Sequence, residues 1–332
     1  MITIKQVAQR AGVSASCVSK YLRDENSVRQ YNKERIAEAI KSLRYIPSQA
    51  ARSLRQGKSM MVKAIMPSIT LPFFAEIFER MRTAFSDSGY TLILQTIDAE
   101  KPFSARDFSG VDGVVVVFPD EDTLIGQIEE TLSSMDKPLV ALAGHKLVNN
   151  IGAVHVDISD GMAQAARYIL DCGRSRIAFV GGVESSISSS ERYRGFVRVV
   201  SPTLQCGVYR RNFSIDWGYE AAKKMVESQR VPDAVLCEND SLAAGVIKFM
   251  MTHGVSVPGD IWVAGFDNIP LAEMYTPSIS SVSLPSENMS LAAADMLINA
   301  MNGGKLGEMQ FKTELLLRES TGATPNNAKT AV

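Results

Sequence analysis

Cysteine, histidine and tryptophan are scarce in this chain, with four, three and two copies among 332 residues. The cysteines (Cys17, Cys172, Cys206 and Cys237) lie far apart without a CxxC pair, which argues against a disulfide framework or a zinc ribbon and fits a reducing compartment. His145, His155 and His253 are widely separated and no H-E-x-x-H occurs, so no metal-ligand set is expected. G-x-S-x-G is also missing, and the glycine- and serine-rich stretch GGVESSISSSER (181–192) lacks the G-K-[ST] of a P-loop. That stretch reads as an exposed loop beside a cleft, with contact to a phosphate as the alternative. These absences leave no catalytic constellation and no cofactor to expect. No run approaches the roughly 18 uninterrupted apolar residues of a membrane helix. The start, MITIKQVAQR, has no apolar run followed by a small-residue cleavage site. The expectation is a cytoplasmic protein with no membrane partner.

What is present is an ordinary globular composition, 45% hydrophobic, with length for about two domains. The net charge of −1 conceals a division. Residues 1–58 hold twelve Lys or Arg against four acids, a net of +8, while the remainder holds 23 against 32, a net of −9. A basic head on an acidic body suggests one module for a polyanion and another for something else.

The head patterns as short helices. Ile4, Val7, Ala8 and Ala11 share one helix face before Gly12 breaks the run. Ser14 is a good N-cap for a second helix, Ala15 to Leu22, with Val18 and Leu22 turned inward. A third helix is expected near 32–43, with Ile36, Ala39, Ile40 and Leu43 inward. Two short helices joined by a turn and braced by a third form a helix-turn-helix, whose second helix would enter the major groove. Its outward residues are Ala15, Ser16, Ser19 and Lys20. A methyl suits thymine, Ser16 can donate or accept, Lys20 can reach guanine or a phosphate, and Ser19 suits a phosphate. The bland alternative is a solvated helix face.

TIKQVAQRAGVSASCVSKYL, followed by RYIPSQAARSLRQGKS, resembles the DNA-binding headpiece of the LacI/GalR family of bacterial repressors. The shared features are the A-G-V-S turn, the V-S pair and the Y-x-P-x-x-x-A-R-x-L segment. The resemblance implies that this last segment is a hinge that folds into a short helix on DNA, with Pro47 and Gly57 as start and stop signals. It implies that Leu54 wedges into the minor groove at the operator centre and that Arg55 is a basic minor-groove contact. The DNA-facing candidates are thus Thr3, Ser14, Ala15, Ser16, Ser19, Lys20, Arg29, Leu54 and Arg55. Cys17 stands where Thr is usual. Arg29 replaces the usual Ser capping the third helix, a role Asn32 can take over. These departures bear on the operator sequence, not on the mode of binding.

From Val62 onward, apolar runs (62–66, 91–95, 113–117, 138–142, 176–181, 233–237, 261–266) alternate with helical segments (near 73–87, 121–135, 160–171, 216–229, 240–253, 287–301). Runs without polar alternation belong to parallel strands covered on both faces, so the body reads as doubly wound α/β. VDGVVVV (111–117) and VPDAVLCEND (231–240) look like equivalent strands of two similar halves. The body resembles the periplasmic-binding-protein-like core of the same family. The organisation expected is a headpiece (1–46), a hinge (47–58), a two-lobed core (60–322) and a tail (323–332). The first lobe would hold about 60–156 and 286–312, and the second about 157–283 and 314–322. The tail lacks a leucine heptad, so a homodimer on a pseudo-palindromic operator is expected rather than a tetramer.

By the same resemblance, Arg192, Asn239 and Asp267 bond an effector between the lobes and Phe213 stacks on it, with Trp217 as a substitute. Phe73, Phe74 and Ile77 line the opposite wall, and His145 substitutes for a polar ligand missing at Gly144. The structural alternatives are that Asp240 and Asn268 cap helices, that Phe73 and Phe74 are core, and that Arg192 pairs with Glu191 or Glu184. The segment from Ile97 to Asp112 is shorter than usual in the family, so a helix near the subunit interface is trimmed or lost. The reading is a transcriptional repressor whose effector is a sugar or sugar derivative. A purine or nucleoside effector, a transporter's solute-binding protein and an architectural DNA binder are the alternatives.

Overall fold

Short helices with narrow apolar stripes must bury them against one another, and the first part of the chain does so. The structure is a computed structural model and describes residues 2–45, 58–97, 103–118, 122–143 and 151–323. It separates into two units, Met1–Met60 and Met61–Val332.

In the first unit, α1 (Ile4–Ala11), α2 (Ala15–Arg23) and α3 (Gln30–Leu43) close over Val7, Ala8, Ala11, Val18, Ile36, Ala39 and Tyr45. Thr3 and Gln6 form a capping box at the start of α1, and Ser14 Oγ accepts the Cys17 N–H at 3.2 Å to cap α2. The third helix starts at Gln30, earlier than its apolar pattern suggests. Arg29 occupies its N-cap without a side-chain hydrogen bond. Asn32 does not take over the cap. It lies inside the first turn, where its Nδ2 reaches Cys17 Sγ at 3.9 Å and ties α3 to α2. The hinge residues Pro47, Leu54, Arg55 and Gly57 lie outside the described residues, as do Gly144, His145 and the end of the tail.

Among its described residues the second unit holds two six-stranded sheets. The first runs β11-β5-β4-β3-β1-β2, with β1 (Met61–Met66), β2 (Thr91–Thr96), β3 (Gly113–Val117), β4 (Leu139–Ala143), β5 (Gly152–Val156) and β11 (Glu308–Phe311) all parallel. The second runs β12-β10-β9-β8-β6-β7, with β6 (Ile177–Gly181), β7 (Gln205–Arg210), β8 (Ala234–Cys237), β9 (Trp262–Asp267) and β10 (Ser280–Ser283) parallel. Its edge strand β12 (Glu314–Leu316) is antiparallel. Every residue of β3, β4, β6 and β8 is buried, as parallel strands covered by helices on both faces require. The chain passes between the sheets at Asp157, at Leu284–Pro285 and at Lys312–Thr313.

Helix α4 (Pro72–Asp87) follows β1, and the segment before β3 keeps one helical turn, α5 (Ala105–Phe108). Two lysines serve its C-terminal carbonyls. Lys63 Nζ donates to Asp107 O, and Lys137 Nζ donates to Phe108 O at 2.9 Å and to Val111 O. Cations at a helix C-terminus complement its dipole, which holds so short a helix in place. Helix α6 (Asp122–Ser133) follows β3; in the second lobe, α7 (Ile158–Asp171) is followed by α8 (Ile187–Val199) and α9 (Ile215–Glu227), and α10 (Asp240–Thr252) follows β8. Helix α8 begins inside the stretch expected to be a loop. Ser186 caps it by accepting the Ser189 N–H, so the serine run is a helix start.

Candidate functional site

Two regions gather the expected residues. On the headpiece, Ser16 and Lys20 are exposed one turn apart on α2, beside Ala15 and Ser19, which are half-buried. Ala15 packs against the three-helix core, so only part of its methyl is available. Ser14 is engaged in capping and lies 2.8 Å from Ser16 Oγ, which ties the two hydroxyls together. Thr3 and Arg29 are exposed at the starts of α1 and α3.

The second region is a cavity of about 230 Å³ at the C-terminal ends of the strands of both sheets, where open α/β folds take ligands. Phe73, Phe74, Arg192, Phe213, Asn239 and Asp267 all line it. His145 lies outside the described residues. Ile77 is wholly buried in the core, and Trp217 packs into the second-lobe core, its Nε1 donating to Gly181 O at 3.1 Å. Neither Ile77 nor Trp217 is a wall residue.

The walls differ in chemistry. From the first lobe come Leu71, Phe73, Phe74 and Phe118, with the three rings packed edge to face at centroid distances of 5.4 to 6.2 Å. From the second come Arg192, Asn239, Asp267 and the hydroxyls of Ser186, Ser188 and Ser241. Arg192 is neither exposed nor paired with Glu191 or Glu184. Its Nη2 donates to Asp267 Oδ1 at 2.7 Å, with the side chains only 7% and 10% exposed, and its guanidinium lies 4.4 Å from the centre of the Phe266 ring. Burial pushes the Asp267 carboxyl up, and Arg192 pulls it back. Arg192 Nε is buried without a hydrogen bond among the described residues.

Asn239, not Asp240, caps α10. Its Oδ1 accepts the Leu242 N–H at 2.8 Å, and its Nδ2 donates to Phe213 O at 3.2 Å. Asn268 caps no helix and accepts from Arg318 at 2.7 Å. Asp267 (φ 90°) and Phe118 (φ 42°) both hold left-handed backbone at strand ends, strain of the kind that collects at ligand sites.

Sequence reasoning missed a buried cluster behind the polar wall, made of Ser189, Arg210 and Glu238. The signal available was a charged residue directly after the apolar strand AVLC, where the strand end meets the cleft. Phe118, next to GVVVV, carried a similar signal. Among the described residues there is no cluster that could hold a metal ion and no helix long and apolar enough to cross a membrane.

With this geometry in hand, similarity to known proteins becomes informative. Residues 3–48 match the family described as bacterial regulatory proteins, lacI family, and residues 166–321 match a periplasmic binding protein-like domain. A ribose operon repressor from Halalkalibacterium halodurans is 31% identical, over 98% of this chain and 99% of its own length. The transcriptional repressor PurR of Pectobacterium atrosepticum is 31% identical over 90% of each chain. Among solved structures, a lac repressor dimer bound to operator and an anti-inducer superposes with a TM-score of 0.86 at 21% identity, covering 97% of this chain and 99% of that one.

Proposed function

This chain belongs to the lacI family of bacterial regulatory proteins, and from that premise we propose that it is a homodimeric transcriptional repressor whose operator affinity is set by a small molecule seated between its lobes. The observation that carries the reading is the enclosed cleft with a buried Arg192–Asp267 pair, joined in one chain to a helix-turn-helix with Ser16 and Lys20 exposed. Residues 1–46 act as the headpiece and 47–58 as the hinge, and 60–322 bind effector and dimerise. Leu54 and Arg55 take the minor groove, and Thr3, Ser14, Ala15, Ser16, Ser19, Lys20 and Arg29 take the major groove and phosphates. Two headpieces then read half-sites about one helical turn apart.

The effector is a sugar of monosaccharide size. The cavity volume and the combination of hydroxyls, guanidinium and carboxylate with flat aromatic faces favour it, and D-ribose is the first candidate because the ribose operon repressor is so similar over its full length. A purine base is the second reading, favoured by the Phe73–Phe74–Phe118 wall and by the likeness to PurR. The chain works as a regulator and not as an enzyme, in the cytoplasm where its operator is.

Mobility-shift titration of the flanking upstream DNA, with and without D-ribose, a monosaccharide panel and purine bases, tests this. A ligand-dependent change in affinity supports it. Binding that survives deletion of residues 1–58, or that no ligand changes, refutes it.

A further inference from the structure

From the last residue of β8 to the first of α10 the chain presents Cys237, Glu238, Asn239 and Asp240 in succession, and of these Asn239 lines the cleft. Glu238 points the other way and is fully buried. Its Oε2 accepts the Gly182 N–H at 2.8 Å, and the Ser189 hydroxyl lies 2.7 Å from both carboxyl oxygens. Ser189 Oγ accepts in turn from Arg210 Nη2 at 3.0 Å. A Cβ on Gly181 would come within 2.4 Å of Glu238 Oε1, so backbone is packed directly against the carboxyl. Gly182 and Ser189 belong to the segment that brings Ser186, Ser188 and Arg192 to the cleft. Glu238 belongs to the turn that brings Asn239. One carboxyl group therefore joins the two segments that build the polar wall.

The order of donors fixes the charge state this arrangement suits. Arg210 can only donate, so Ser189 accepts from it and gives its own proton to Glu238. The ionised carboxylate accepts from Ser189 and from the Gly182 N–H with no proton of its own to place, which suits the chain Arg210 to Ser189 to Glu238. A protonated Glu238 keeps one carbonyl acceptor but adds an O–H, and the Ser189 oxygen beside it already accepts from Arg210, so two protons compete at one contact.

Building on the effector reading above, we propose that Glu238 is a positioning residue for the cleft, its ionised carboxyl clamping the start of α8 to the turn that carries Asn239, and that protonation opens the clamp and weakens effector binding. Among the described residues the charged and titratable groups around it are few. Arg192 and Tyr193 come from α8, with Asp267 beyond Arg192. Arg210 comes from β7, with Glu184 beyond it at 4.0 Å. Cys237 and Asp240 flank it. Burial pushes the Cys237 thiol well up, so it stays protonated. Burial raises the Glu238 carboxyl to about 7 against the pull of Gly182, Ser189, Arg192 and Arg210. The neighbouring Asp240, also buried, is raised to about 8. The clamp therefore exchanges its proton near neutrality, and a Glu238 variant separates its titration from that of Asp240.

The test uses the full chain and the variant Glu238→Gln. The amide takes up no proton and presents a donor to Ser189, so it mimics the protonated acid. Calorimetry with D-ribose should show wild-type affinity falling about tenfold from about pH 8 to about pH 6, the ordinary scale of coupling between sites. Glu238→Gln should hold the weaker value at both ends. A ligand-free arm uses Trp262→Phe, which leaves Trp217, bonded to Gly181 O at 3.1 Å, as the reporter. Its emission should titrate near pH 7, and adding Glu238→Gln should abolish that transition. Flat wild-type affinity across this range, or an emission transition that survives Glu238→Gln, overturns the proposal. If D-ribose binds neither protein, the choice of effector falls and the emission arm alone decides the clamp.

Discussion

Replacing Arg192 by methionine removes one partner of a buried ion pair while keeping an unbranched apolar stem. The guanidinium now holds Asp267 Oδ1 at 2.7 Å with both side chains at most 10% exposed. Removing one partner of such a pair costs about 3–5 kcal/mol when the other is stranded as an ion. Asp267 has an escape, because burial already pushes its carboxyl up from 3.8 and without Arg192 it rises further. The sign follows from linkage. A carboxyl raised in the folded state holds a proton that the unfolded chain has released, so stability falls as pH climbs from the unfolded value toward the folded one, by up to about 1.4 kcal/mol per pH unit. Toward the acid end of the profile the orphaned carboxyl holds its proton and is neutral. R192M then costs only the lost packing and the cation–π contact with Phe266, about 1 kcal/mol. Near pH 8 the penalty should reach about 3 kcal/mol. Urea unfolding followed by tryptophan emission measures it, since Trp217 and Trp262 both lie in the unit from Met61 onward. The double variant R192M/D267N, with no charge left to strand, should recover most of the loss at high pH. A penalty equal at both ends of the profile, or one not relieved by D267N, refutes the reasoning.

Other substitutions probe the remaining parts. Lys20→Ala should weaken operator binding by about 1–3 kcal/mol in anisotropy titrations, and a salt slope smaller by about one identifies a phosphate rather than a base as its contact. Lys137→Met removes the donor to Phe108 O and Val111 O and should lower stability by about 2 kcal/mol, with faster amide exchange confined to residues near α5. Asp240 is raised by burial to about 8 from 3.8, so the wild type loses stability as pH rises between these values. Asp240→Asn, which keeps an acceptor for the Ile269 N–H at 2.9 Å, should flatten that part of the stability profile measured by urea unfolding.

What could be read from the sequence was whatever depends on runs and caps. GVVVV and LVALA advertise strands buried on both faces, and the Ser14 cap before a short apolar-striped helix advertises the turn of the headpiece. Strands with mixed composition did not show. SSVS (280–283) is a strand because it pairs with β9 and β12, and Ser280 and Ser281 are buried only because Arg318, Ser320, Thr321 and Asn268 bond to their backbone and hydroxyls. Helix α8 is hidden by its serines, whose hydroxyls compete for backbone groups in isolated chains, yet here Ser186 caps the helix and Ser189 donates to Glu238. Partner choice was equally hidden. Spacing places Arg192 and Asp267 in one cleft only once a family pattern is supplied, and nothing in spacing pairs them with each other 75 residues apart.

The asymmetry of the two walls bears on how a ligand could bias the lobes. A ligand shifts a conformational equilibrium only by its difference in affinity for the two arrangements. Most of the polar lining belongs to the second lobe and is bonded within it, Arg192 Nη2 to Asp267 and Asn239 to Leu242 and Phe213, while the first lobe adds Ser68 and Arg192 Nε is left without a hydrogen bond among the described residues. Contact with that wall alone would be nearly equal in open and closed arrangements and would shift nothing. The bias must come from the first lobe, where Phe73, Phe74 and Phe118 offer flat apolar faces that a bound ring covers only when the lobes approach. On the effector reading proposed above, the second lobe would select a ligand by its hydroxyls, and the aromatic wall of the first would convert occupancy into a preference for closure.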